Sequence, residues 1–69
     1  MEVIIKSNIK WLIAKSGYSQ KEVADLMEMS PQQLNKWATG KEFPRIDKAI
    51  KLSGIIKCTL NDMYEIMWK

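Results

Sequence analysis

The amino-acid sequence predicts an all-α fold of five helices closing on one small core. Three observations predict it. Apolar residues recur three or four positions apart along most of the chain. The segments with this period are opened by serine, threonine or proline and closed by glycine or a short loop. No strand, repeat or low-complexity tract stands out between them.

Composition supports a folded chain of modest core. With 69 residues there is room for one domain, expected over residues 1–69, and a domain of this size buries only about 60% of its unfolded surface. Apolar residues make up 46% and charged residues 28% of the chain, and three glycines and two prolines are too few for disorder. Cys58 is the only cysteine and histidine is absent, so neither a disulfide nor a zinc cluster is expected, and a reducing cytoplasm fits. The first five residues hold an apolar run of three, too short for a signal peptide, and no membrane-length apolar stretch follows. The net charge of +3 and pI near 9.1 point weakly toward a polyanionic partner. Lys41, Arg45, Lys48, Lys51 and Lys57 concentrate that charge, whereas the last eleven residues lean acidic.

Ile5, Ile9, Leu12 and Ile13 predict a first amphipathic helix from about Val3 to Lys15, ended at Gly17 by a left-handed residue. Ser19 and Glu22 form a capping-box pair that starts a second helix at Gln20, whose apolar face is Val23, Ala24 and Met27. Ser30-Pro31 announces a third start only a few residues later. Gln33 is placed to return a hydrogen bond to that cap, Leu34 and Trp37 form the buried stripe, and Gly40 closes the helix. After the Glu42-Phe43-Pro44 loop, Ile46, Ala49, Ile50, Leu52 and Ile56 describe a fourth helix with its lysines outward. Thr59 caps a fifth, with Asp62 in its first turn and Leu60, Met63, Tyr64 and Met67 as apolar positions.

The informative feature is the pair of short helices joined by a tight turn across Glu28-Met29, with small Ala24 where their backbones approach. Gln20-Lys21-Glu22-Val23-Ala24, then Met29-Ser30-Pro31-Gln32-Gln33-Leu34, then Trp37, Gly40 and Lys41, and finally Leu60-Asn61-Asp62-Met63 stand at spacings that resemble the Cro and phage-repressor (XRE-type) helix-turn-helix family. The resemblance runs from about Ile5 to Met63. It implies a compact five-helix lambda-repressor-like domain in which the third helix, Pro31 to Ala38, enters the major groove of double-stranded DNA as part of a symmetric dimer. It also implies that the starts of the second and third helices hold phosphates.

Helical rotation agrees with that role. With Leu34 and Trp37 facing inward, Gln32 and Lys36 project together on the opposite side, flanked by Asn35. Glutamine pairs with adenine N6 and N7, lysine donates to guanine O6 and N7, and Pro31 can touch a thymine methyl. Gln33 lies nearer the flank. The base-reading candidates are therefore Pro31, Gln32, Gln33 and Lys36. The backbone candidates are Ser19, Gln20, Lys21, Ser30, Asn35, Thr39, Lys41 and Arg45, with Gln20 at a helix N-terminus whose free N–H groups favour an anion. In an arbitrary small helix such residues form a solvated face, and Gln20 does ordinary helix capping; the spacing across several helices argues for contact.

Three departures from the family stand out. Glu28 occupies the turn where glycine is usual, at a cost of about 1 kcal/mol if its φ is positive. Ile13 and Ala38 replace an arginine and glutamate that the family often pairs, a double replacement that strands no charge. Lys57 stands where glycine is common between the last two helices.

Trp11, Trp37 and Trp68 are poor candidates for base stacking, and Trp37 is assigned to the core. Met27, Met29, Met63 and Met67 read as core or interface filler, and Cys58 as a partly buried small residue. The last helix holds more large apolar side chains than one buried face needs. Met63, Tyr64, Ile66, Met67 and Trp68 are therefore candidates for a homodimer interface.

The expected protein is a sequence-specific regulator of phage or prophage type. It represses from a palindromic operator, has no cofactor, metal, membrane or small-molecule ligand, and acts in the cytoplasm of a bacterial or phage-infected cell, on the nucleoid when bound. The remaining length leaves no room for a sensor domain. The alternative is a protein-interaction module, an antitoxin or antirepressor-like component on the same fold. An enzyme is not expected, because no glycine-rich phosphate loop and no nucleophile with a neighbouring base is present.

Overall fold

Local capping chemistry starts three of the five helices in the computed structural model, which describes residues 2–69. The element order is β1 (Val3–Ser7), α1 (Ile9–Ser16), α2 (Gln20–Leu26), α3 (Pro31–Ala38), α4 (Ile46–Ile56), α5 (Leu60–Met63) and β2 (Tyr64–Trp68). Ser19 Oγ accepts from Glu22 N at 3.1 Å while the Glu22 carboxylate accepts from Ser19 N at 3.1 Å, which completes the expected capping box of α2. Thr59 and Asp62 make the same reciprocal pair at α5, at 3.1 and 3.2 Å. Ser30 Oγ accepts from Gln33 N at 3.2 Å at the start of α3, but the Gln33 side chain goes elsewhere. Each cap contributes about 1 kcal/mol.

The ends of α2, α3 and α4 share one device. Met29 N donates to Ala24 O at 3.0 Å, Lys41 N to Lys36 O at 2.9 Å and Cys58 N to Ser53 O at 3.0 Å, the six-to-one bond of a Schellman reversal. The pivots are Glu28 (φ 56), Gly40 (φ 79) and Lys57 (φ 54). Glu28 and Lys57 thus hold the left-handed conformation that the missing glycines would have taken freely. The Lys57 pivot also sets the α4–α5 boundary.

One core joins these elements. Ile9, Leu12 and Ile13 of α1, Val23 and Ala24 of α2, Leu34, Trp37 and Ala38 of α3, and Ala49, Leu52 and Ile56 of α4 are all buried around Met63. Ile13 and Ala38 sit in it as apolar residues, consistent with their joint replacement of a charged pair. Cys58 is half-buried at its edge. Burial first, and then the Asp62 charge, pushes its thiol pKa up.

Two expectations fail at the chain ends. The first helix does not begin at Val3, because Val3–Ser7 is strand β1 and α1 starts at Ile9. The last helix stops at Met63, because Tyr64–Trp68 is strand β2. The two strands form an antiparallel ribbon with Val3 opposite Trp68, Ile5 opposite Ile66 and Ser7 opposite Tyr64. The fold is therefore mainly, not wholly, helical. β-Branched Val3 and Ile5 face aromatic Trp68 and β-branched Ile66 across the ribbon, with Ile4 opposite Met67, a combination that favours the pleat over a helix. The Ser7–Tyr64 end is half-buried against the helical body and the remainder is exposed, so the ribbon projects from a molecule measuring 38 × 21 × 20 Å.

Candidate nucleic-acid interface

The α2–turn–α3 unit is held by a buried contact side and a backbone bond across its turn. Ala24 is fully buried, and its carbonyl takes the Met29 N–H across the turn. Leu34 and Trp37 hold the inner side of α3 in the core. A third tether comes from outside the motif. Ser7 Oγ donates to Trp37 O at 2.8 Å and accepts from Ile9 N at 3.3 Å, so one hydroxyl ties the last turn of α3 to the first turn of α1.

With the inner side fixed, the outer side is set by geometry. Pro31, Gln32, Asn35 and Lys36 are exposed and, with Lys41, line one shallow concavity. Gln32 and Lys36 lie one turn apart on it, as the helical period requires. Gln33 is half-exposed at its margin. Thr39 turns back on its own helix, Oγ1 donating to Asn35 O at 2.8 Å.

The backbone candidates surround this face unevenly. Ser19 and Ser30 have their hydroxyls committed to caps, although both residues remain exposed. Gln20 is half-buried and Lys21 exposed in the first turn of α2. Lys41 lies at the end of the α3 reversal. Arg45 follows it, its Nε 3.9 Å from Asp47 Oδ1 with both side chains largely exposed, a loose pair that water screens.

Glu42 is the residue that sequence reasoning left in a loop. The reversal at Gly40 turns the chain back along α3, and Glu42 N donates to Lys36 O at 3.2 Å. Its carboxylate then accepts from Gln33 Nε2 at 2.9 Å and lies 3.8 Å from Lys36 Nζ. A carboxylate thus occupies the margin of the basic face and engages two of the four base-reading candidates. The signal for it is the spacing: a glutamate two residues past a closing glycine is returned to the last turn it has just left.

The candidate interface residues separate. Met63 is 0% exposed and belongs to the core, so it is withdrawn as an interface residue. Tyr64 is half-buried, edge-on to Phe43 with ring centroids 5.8 Å apart, and burial raises its phenol pKa. Ile66, Met67 and Trp68 are exposed on the ribbon. Among the described residues no cluster of carboxylate or cysteine side chains could hold a metal ion, and no helix is long and apolar enough to cross a membrane.

Two short capped helices joined by a left-handed turn, the second offering a polar outer face, define a helix-turn-helix domain. A family model described as Helix-turn-helix matches residues 9–63, and the chain belongs to that family, the XRE-type DNA-binding domains of Cro and the phage repressors. The fold is similar to a solved structure of a candidate DNA-binding protein from Bacteroides fragilis. The TM-score is 0.83 at 18% identity, over 90% of this chain and 100% of that one. No curated protein sequence matches this chain significantly.

Proposed function

We propose that the protein is a transcriptional regulator that reads a palindromic operator in double-stranded DNA and represses by blocking access of polymerase. One observation carries this reading. Gln32, Asn35 and Lys36 are exposed side by side on α3 while Leu34 and Trp37 fix the opposite side in the core. Gln32 and Lys36 then read base edges, with Pro31 and Gln33 at the margins. Gln20, Lys21, Asn35, Thr39, Lys41 and Arg45, together with the exposed backbone at Ser19 and Ser30, hold the phosphates. The palindrome follows from two copies acting as a symmetric pair, each presenting one α3 to one half-site. Its site of action is the cytoplasm of a bacterial or phage-infected cell, and it has no catalytic activity of its own.

Selection of bound duplexes from a random pool tests the reading. The wild-type chain should enrich a palindrome, and Lys41→Ala should weaken all duplexes alike while lowering the salt slope by about one. A pool with no enriched sequence and no salt-sensitive affinity would overturn it. That result would favour a protein-interaction module, a reading supported by the carboxylate of Glu42 on the α3 face.

A further inference from the structure

We infer that one face of the ribbon, together with the start of α4, is the surface on which a second copy of this chain docks. The inference locates the symmetric pair of the operator reading, and rests on that reading only for the claim that the pair acts on DNA. Side chains alternate across a strand. Val3 and Ile5 therefore share a face with their partners Trp68 and Ile66. That face borders a groove of ≈ 380 Å³ lined by Ile5, Phe43, Pro44, Ile46, Leu60 and Ile66 among others, with no charged side chain in its lining. Ile50 extends the same stripe one turn further along α4.

These side chains are far more exposed than a monomer needs. Ile46 is 67%, Ile66 59% and Trp68 70% exposed. Their exposed surface, with that of Val3, Ile5, Phe43 and Ile50, is roughly 700 Å², above the ~300–600 Å² of the largest apolar patch on a typical monomer and close to the ~800 Å² per partner of a standard interface. A two-stranded ribbon is itself marginal in water without a cover. The surface also carries both a projecting indole, Trp68, and an apolar groove, so two copies related by a two-fold axis can each fill the other's groove. The uncharged lining speaks against an anionic partner there. None of the groove residues belongs to the concavity on α3, which leaves both recognition faces free in the pair.

Sedimentation equilibrium of the full chain up to submillimolar concentration, alone and with a palindromic duplex from the selection, tests the inference. The wild-type chain should reach the mass of a dimer. Ile46→Glu and Ile66→Glu, both at exposed positions and checked for folding by circular dichroism, should each weaken self-association by ~10-fold or more. They should still bind a single half-site, losing only cooperativity on the palindrome. Lys10→Glu, on α1 away from the groove, should leave the dimer intact. A wild-type chain that stays monomeric alone and binds the palindrome without cooperativity overturns the proposal, as do glutamate variants that pair like wild type. A dimer that these variants disrupt, but that selects no DNA sequence, upholds the docking surface while the operator reading falls.

Discussion

The outer face of α3 and the face shared by the ribbon and α4 are both exposed, yet one presents mainly polar side chains and the other mainly apolar ones. Gln32, Asn35 and Lys36 lose little by facing water, and their donors and acceptors are available to any ligand that presents matching edges. Ile46, Ile66 and Trp68 gain nothing from water, so their exposure has to be explained by a cover or by weak selection. Direction is what separates the two. A polar face confers specificity through geometry and tolerates solvent in the free state. An apolar face confers affinity without direction and is stable only when covered. Both are mounted on one core, so they should fail together when the core fails and separately when either face is altered.

The largest effect expected is the joint failure. Leu34→Ala removes a fully buried side chain beneath α3 and should cost about 3 kcal/mol. In a domain whose total stability is only about 5 kcal/mol, a urea melt should show the midpoint fall by more than half, with DNA binding and self-association lost in parallel at urea concentrations that leave the wild type folded. Loss of only one would mean that the two surfaces do not share this core.

Separation should appear next. Gln32→Ala is expected to reduce discrimination at one base position by about 1–3 kcal/mol while changing stability by less than about 0.5 kcal/mol, read by duplex selection beside a thermal melt. An unchanged base preference would remove Gln32 from the reading face. Glu28→Gly should act on neither surface. It relieves a positive φ of 56 and should stabilise the chain by about 1 kcal/mol, with a Tm rise of about 4–8 °C. A fall in Tm would show that the glutamate side chain contributes more than its backbone strain costs.

Smaller still is the effect of Glu42→Gln. The substitution removes the carboxylate beside Gln33 and Lys36, and should raise affinity for all duplexes several-fold at low salt, an advantage that shrinks as salt is added. Equal affinities at every salt concentration would place Glu42 outside the interface. The mildest expectation concerns pH. The Thr59 backbone N–H, and then its side chain, hold the Asp62 carboxyl below the usual carboxylate range. Its contribution to stability is therefore complete above the unfolded pKa and is lost as pH falls through the lower folded pKa. Asp62→Asn should flatten the decline in urea midpoint as pH falls through and below the usual carboxylate range, and a parallel decline in both chains would refute the assignment.

Much of the candidate site was legible because its causes are local. Ser19 with Glu22, Ser30 with Pro31, and the closing Gly40 act within a few residues, so α2 and α3 begin where the sequence places them, and Leu34 and Trp37 fix which side faces out. Ser7 was not legible, and Glu42 was marked only by its spacing past Gly40. Glu42 reaches α3 only after the chain reverses, and Ser7 reaches Trp37 O only once β1 lies beside α3. Lys57 hid a helix end, because a left-handed lysine carries no mark in the sequence that a glycine would.

By itself, then, the order of residues determined the helix-turn-helix unit, its N-terminal caps and its inward and outward sides, and it marked α4, of whose apolar stripe Ala49, Leu52 and Ile56 are buried while Ile46 and Ile50 are exposed. Only the tertiary structure decided that the two ends of the chain are strands. Val3, Ile4 and Ile5 carry as much helical as extended periodicity, and Met63 to Trp68 likewise. The difference comes from the pairing of Val3 with Trp68 and Ile5 with Ile66, which brings together opposite ends of the chain. A helix satisfies its backbone hydrogen bonds within a few residues, whereas a strand needs a partner, and that partner exists only after the helical body has folded and set the two ends side by side.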